Sequence, residues 1–138
     1  FLCYNHDMNN LKVHHIGYLV KKINRSKETF ESLGYRSGEI THDISRGIDI
    51  CFLTKDGLNV ELVSPFTEDS IVSGIMSRYK NCAYHICYES AQFEDDLKSL
   101  GESGFHMIGE PLPAPAINGR RVVFLMNPSI GMIELLES

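Results

Sequence analysis

Apolar and polar positions alternate along this chain in short stretches, and the stretches come in two similar sets. Residues 12–20 are rich in β-branched and aromatic side chains and predict a strand ending at a basic pair. Ser26 then reads as an N-cap, Phe30 and Leu33 fall on one helical face, and Gly34 ends that helix. A weaker strand is expected over 35–40, and stronger ones over 47–53 and 58–63, joined by a Lys55-Asp56-Gly57 turn. Pro65 closes the set. Residues 68–78 predict a short amphipathic helix with Ile71, Ile75 and Met76 on its apolar side.

The second set repeats the first. A strand is expected over 83–88 and a helix over 93–100, ended by Gly101 or Gly104, then a strand over 105–108. Pro111, Pro113 and Pro115 predict a long connection, too rich in proline for a central strand. Residues 121–126 and 132–136 complete the set. The order is β-α-β-β-β, twice, with the joining helix between, and Ser32-Leu33-Gly34 resembles Ser99-Leu100-Gly101 at the helix ends. The modules are expected at 11–65 and 82–137, with a linker helix over 66–81, in one integrated domain. Residues 1–10 are polar and expected to be loose.

The repeat carries chemistry. His15-Ile16-Gly17-Tyr18 returns as His85-Ile86-Cys87-Tyr88. Each is followed by an apolar strand with one glutamate, Val60-Glu61-Leu62-Val63 and Ile133-Glu134-Leu135-Leu136, at distances of 46 and 49 residues. A lone histidine in an apolar strand is more often a packed residue than a ligand. Four residues repeating in register change that balance. Burying an unpaired carboxylate costs several kcal/mol, on the order of 2–7 for a polar group alone, and a cation offsets the cost. If the two units pack face to face, two imidazoles and two carboxylates can converge on a divalent ion. His14 points away from His15 on the same strand and reads as structural or surface, as do His6, His42 and His106.

Composition adds bounds. The chain has 138 residues, enough for one domain or two half-size modules sharing a core, and its 43% hydrophobic content supports a globular fold. A net charge of −5 argues against nucleic acid as a partner. No apolar run approaches a bilayer span and no signal peptide is visible, so no membrane partner is expected. Cys3, Cys51, Cys82 and Cys87 lack zinc-finger spacing; Cys51 and Cys87 read as buried thiols of a reducing, cytoplasmic compartment. The chain does not begin with Met, and a trimmed or excised piece of a longer protein is expected.

With these residues in view, the chain resembles the vicinal oxygen chelate superfamily, which includes glyoxalase I, extradiol dioxygenases, and bleomycin and fosfomycin resistance proteins. The likeness runs from Leu11 to Glu137. Within it, Val60 to Arg78, Tyr84 to Ser90 and Asn118 to Leu125 resemble methylmalonyl-CoA epimerases. The resemblance implies an α+β fold: two tandem βαβββ modules forming one cupped mixed β-sheet with helices outside. It implies His15, Glu61, His85 and Glu134 as ligands of a divalent ion (Co, Mn, Ni, Zn or Mg), on the inner face of that sheet. It implies proton abstraction α to a carbonyl, with Glu134 as one base and Asp49, in Ile48-Asp49-Ile50, as the other; an edge-strand surface carboxylate is the equal alternative for Asp49.

The expected partner is a small molecule, an acyl-CoA or another thioester, and a homodimer is allowed. The chain departs from the epimerase pattern at Ala116-Ile117-Asn118-Gly119 and at Asn127-Pro128-Ser129, where a lysine is missing. Arg120 and Arg121 could supply anion contacts instead, or be solvated charges. Two other readings stand beside the epimerase: a glyoxalase I-like lactoylglutathione lyase, which uses the same ligand types, and a non-catalytic resistance-type binding protein, which usually lacks the full set. An iron dioxygenase would use two histidines and one carboxylate, so the fourth ligand counts against it.

Overall fold

The computed structural model describes residues 8–70 and 72–138. Cys3, His6 and Ile71, and most of the segment 1–10 expected to be loose, lie outside the described residues. The elements run β1 (Lys12–Leu19), α1 (Ile23–Ser32), β2 (Arg36–Asp43), β3 (Ile48–Lys55), β4 (Leu58–Pro65), α2 (Ser73–Arg78), β5 (Cys82–Ser90), α3 (Phe93–Glu102), β6 (His106–Ala114), a 3-10 turn (Pro115–Ile117), β7 (Arg120–Asn127) and β8 (Gly131–Glu137). This is the α+β class, with the βαβββ order present twice. The chain divides into two compact units: residues 15–84, and residues 85–138 with the segment before His15.

In the first unit the strands lie in the order β2-β3-β4-β1, with β1 parallel to β4 and the other pairs antiparallel. Asp56 and Gly57 make the β3–β4 turn with φ of 51° and 80°. Both central residues are left-handed, as a two-residue hairpin of this hand requires. Cys51, Leu53, Val60 and Leu62 turn one face of these strands toward α1, where Val20 and Ile23 complete a core. Leu53 and Leu62 are fully buried, each stabilising the fold by roughly 1.5–3 kcal/mol.

The second unit has the same plan: β5-β8-β7-β6, with β5 parallel to β8. Its core joins Phe93 and Leu100 of α3 to Val123, Leu125, Ile133 and Leu135. The strand after each helix is irregular, β2 between Ser37 and Ile40 and β6 between Ile108 and Leu112.

Several expectations are corrected. α1 starts three residues before Ser26: buried Ile23 opens the helix, Lys22 is its N-cap without a side-chain bond, and the Ser26 N–H already donates to the Lys22 carbonyl. The equivalent helix ends are Gly34 and Gly104, not Gly34 and Gly101. Both adopt φ near +90°, and the following Tyr35 and Phe105 N–H groups reach back to Phe30 and Leu100. The proline stretch is a strand after all. β6 is the last in its unit's order and bonds to β7 alone there, so Pro111 and Pro113 withhold no needed donor. α2 spans only Ser73–Arg78, because local bonds compete with helix: the Ser70 hydroxyl accepts from the Val72 N–H and the Ser73 hydroxyl donates to the Thr67 carbonyl. No described helix is long and apolar enough to cross a membrane.

Candidate metal centre

Each unit carries one buried imidazole beside one buried carboxylate. In the first, His15 Nε2 lies 3.6 Å from Glu61 Oε1; in the second, His85 Nε2 lies 3.4 Å from Glu134 Oε1. The four residues are between 0% and 5% exposed. Pairing places them identically. Gly17 is opposite Glu61 in the β1–β4 pair, and Cys87 is opposite Glu134 in the β5–β8 pair. The histidine therefore stands two residues before the glutamate's partner in both units, and alternation puts it on the glutamate's face.

The third member of each set escaped the sequence reading. Phe52 is opposite Glu61 on β3 and meets the His15 ring edge-on at 5.3 Å; Phe124 is opposite Glu134 on β7 and meets the His85 ring edge-on at 5.1 Å. An aromatic wall on one side of each imidazole holds the ring plane and lowers the local polarity. The signal for Phe52 was present: a two-residue turn at Asp56-Gly57 fixes the residue facing Glu61.

The spacings fit metal ligands. Separations of 3.4 and 3.6 Å exceed the usual hydrogen-bond range of about 2.7–3.2 Å. Two donors each about 2.0–2.2 Å from one ion stand roughly 3–3.5 Å apart at tetrahedral or right angles. A nitrogen and a carboxylate oxygen at that spacing could supply two ligands to a borderline or hard divalent cation.

Asp49 is not brought to Glu61. The β3–β4 register is uninterrupted and sets Asp49 opposite Ser64, so it shares the face of Cys51 and Leu53, away from Phe52 and Glu61. There it binds His42, Nδ1 to Oδ1 at 2.6 Å, and His42 stacks on Phe66. The carboxylate on the Glu61 side of the sheet is Asp43, 1% exposed. Burial alone would raise its carboxyl, but hydrogen bonds from the Ser45 hydroxyl and the Arg46 guanidinium and N–H outweigh that and hold it below the usual range.

The two arginines separate. Arg121 binds Glu137 and Glu94 and lies 4.8 Å over the Phe93 ring, a structural role on the α3 side. Arg120 shares the Phe124 face and pairs with Glu89 at 2.9 Å. His14 is half-buried and His106 exposed. Cys51 and Cys87 are buried thiols, as expected; burial pushes the Cys51 thiol up.

Comparison with known proteins agrees with this architecture. An ethylmalonyl-CoA/methylmalonyl-CoA epimerase of Cereibacter sphaeroides is 26% identical over 118 residues, covering 83% of this chain and 87% of its own. A hypothetical protein from Bacillus halodurans superposes with a TM-score of 0.84 at 25% identity, covering 94% of this chain and 96% of that one. Methylmalonyl-CoA epimerase from Mycobacterium tuberculosis has the same fold, with a TM-score of 0.80 at 18% identity, covering 96% and 93%. Residues 14–124 match the Glyoxalase/Bleomycin resistance protein/Dioxygenase superfamily, and the chain belongs to it.

Proposed function

We propose that this protein is a metal-dependent isomerase that removes a proton α to the carbonyl of an acyl thioester, with residues 11–65 and 82–137 as its two modules. The observation that carries this reading is the identical Phe–Glu–His register in the two units. Each unit alone offers two ligands, too few for a typical protein site; the duplicated pair offers four. His15, Glu61, His85 and Glu134 together would hold one divalent ion of the cobalt, manganese, nickel, zinc or magnesium kind. Such an ion supplies a Lewis acid for a carbonyl oxygen and its enolate.

The chain's own residues do the rest. The two imidazoles keep their orientation against Phe52 and Phe124. Glu134 is the base of this proposal, taking the α-proton on a carboxylate oxygen and passing it to water, while water protonates the opposite face of the planar enolate and so completes the isomerisation. Asp49 takes no part, because its face is that of the helix-side core. The acyl-CoA class of substrate is supported by the relation to the Cereibacter sphaeroides enzyme.

The test is α-proton exchange of methylmalonyl-CoA in D₂O, followed by NMR with metal-loaded and chelator-treated protein. Exchange that needs metal and is lost in Glu134→Gln supports the reading. Exchange absent in metal-loaded parent protein, alongside turnover of a glutathione hemithioacetal, would replace it with a lyase.

A further inference from the structure

A cavity lies within the first unit, between α1 and the end of β1. It encloses about 580 Å³, within the range of roughly 300–1,000 Å³ typical of small-molecule sites. Tyr18 and Phe30 give it an aromatic wall, their rings edge-to-face at 5.4 Å. Lys21, Lys22 and Arg25 line the rest with Ser26, Thr29 and Asn81.

Its charge is one-sided. The chain has 18 acidic residues against 13 basic ones, yet among the described residues no acidic one lines this cavity. Lys21, Lys22 and Arg25 form no ion pair with any described residue, whereas Arg46, Arg120 and Arg121 each bind a carboxylate. Leaving three cations unneutralised in an acidic chain, around a concave surface, concentrates positive potential there. The Lys21 backbone N–H donates to Asn81 Oδ1, which ties the two walls together. The duplication supplies a comparison. α3 stands where α1 does, but its first turn is Glu94, Asp95 and Asp96, and Asp96 accepts from the Ser90 hydroxyl. Arg25, in the first turn of α1, thus stands where α3 carries acidic residues.

We infer that this cavity binds a phosphorylated small molecule with a planar ring, of nucleotide size, the ring against Tyr18 and Phe30 and the phosphate among Lys21, Lys22 and Arg25. Planar rings stack on aromatic side chains, and phosphate oxygens take charge-assisted hydrogen bonds from lysine and arginine. Tyr18 belongs to the helix side of β1 and His15 to the opposite side, so the inference goes beyond the isomerase reading and stands if that reading fails. The same chemistry is offered by a free nucleotide and by the nucleotide end of coenzyme A.

Calorimetric titration tests it, with adenosine 3′,5′-bisphosphate, coenzyme A, ADP, adenosine and inorganic phosphate as probes. Saturable one-to-one binding of phosphorylated adenosines is expected, at least tenfold tighter than adenosine and weakening as salt rises. Each lost charge-assisted contact should weaken binding about tenfold. The triple variant Lys21→Glu, Lys22→Glu, Arg25→Glu should therefore lose it altogether. The three residues are exposed, so folding should survive; the triple glutamine variant, checked by circular dichroism, guards against charge-driven unfolding. Binding of coenzyme A and the bisphosphate but not ADP assigns the site to the carrier end. ADP binding without coenzyme A assigns it to a free nucleotide. No saturation by any probe at millimolar concentration, or binding by either triple variant as tight as the parent's, overturns the inference.

Discussion

If one ion is shared by both units, ligands from either unit should matter equally. The perturbations are His15→Ala and Glu61→Gln in the first unit and His85→Ala and Glu134→Gln in the second. The expected size follows from linkage. At free metal near 100 times Kd, one bound ion stabilises the fold by about 2.7 kcal/mol. For a chain of 138 residues that raises Tm by roughly 8–11 °C. Losing an outer partner of a ligand already weakens metal binding about 10–100-fold, so losing a ligand should cost at least the upper value. Affinity reduced 100-fold leaves about 0.4 kcal/mol, a shift of about 1–2 °C. The assay is thermal unfolding of each variant with and without metal, beside direct measurement of ions per chain. The metal-free Tm of each variant separates lost binding from lost packing. Two ions per chain, with His15→Ala removing one and His85→Ala the other, would refute the shared site. So would any one of the four variants that keeps the full metal-dependent shift.

Three further outcomes are expected. Asp49→Asn should leave metal affinity and α-proton exchange within about twofold of the parent, far from the loss of roughly 10²–10⁴-fold that removing a general base causes; a loss of that size in the exchange assay would return Asp49 to the mechanism. The Asp43 carboxyl is held low in the folded state, so its stabilisation is present above the unfolded-state value near 3.8 and is lost as pH falls through the lower folded value; urea midpoints of Asp43→Asn should therefore fall less steeply on acidification than those of the parent. Cys82, half-buried, should react with a thiol reagent in the native protein, while Cys51 and Cys87, fully buried, should react only at the rate of unfolding, which mass mapping of the labelled peptides resolves.

The strands around His15, Glu61, His85 and Glu134 were legible because period-two alternation and β-branched content are local properties, and because the chain states them twice. Repetition did more than composition: a single His-Ile-Gly-Tyr stretch is unremarkable, and its return as His-Ile-Cys-Tyr, each with its glutamate, pointed to a site. The Asp56-Gly57 turn was equally local, and it fixes the face that Asp49 occupies. A two-residue hairpin pairs Asp49 with Ser64 and Phe52 with Glu61, so the face of each residue follows from the register. That parity sets Asp49 on the face of Cys51 and Leu53.

Elsewhere the sequence had no means of deciding. The β7–β8 connection passes through Pro128, Ser129 and Ile130, and a longer loop does not fix register, so Phe124 meets Glu134 only through the folded pairing. Pro111 and Pro113 forbid a central strand but not a terminal one, and only the strand order says which β6 is. α1 begins at Ile23 rather than Ser26 because burial of one isoleucine outweighs a cap worth about 1 kcal/mol. Lys21 and Asn81 meet across 60 residues of chain. Periods, turns and repeats are set by neighbours in sequence and can be read there. Which face a residue occupies, and what stands across from it, depends on contacts between strands far apart in the chain, and only the tertiary structure decided those.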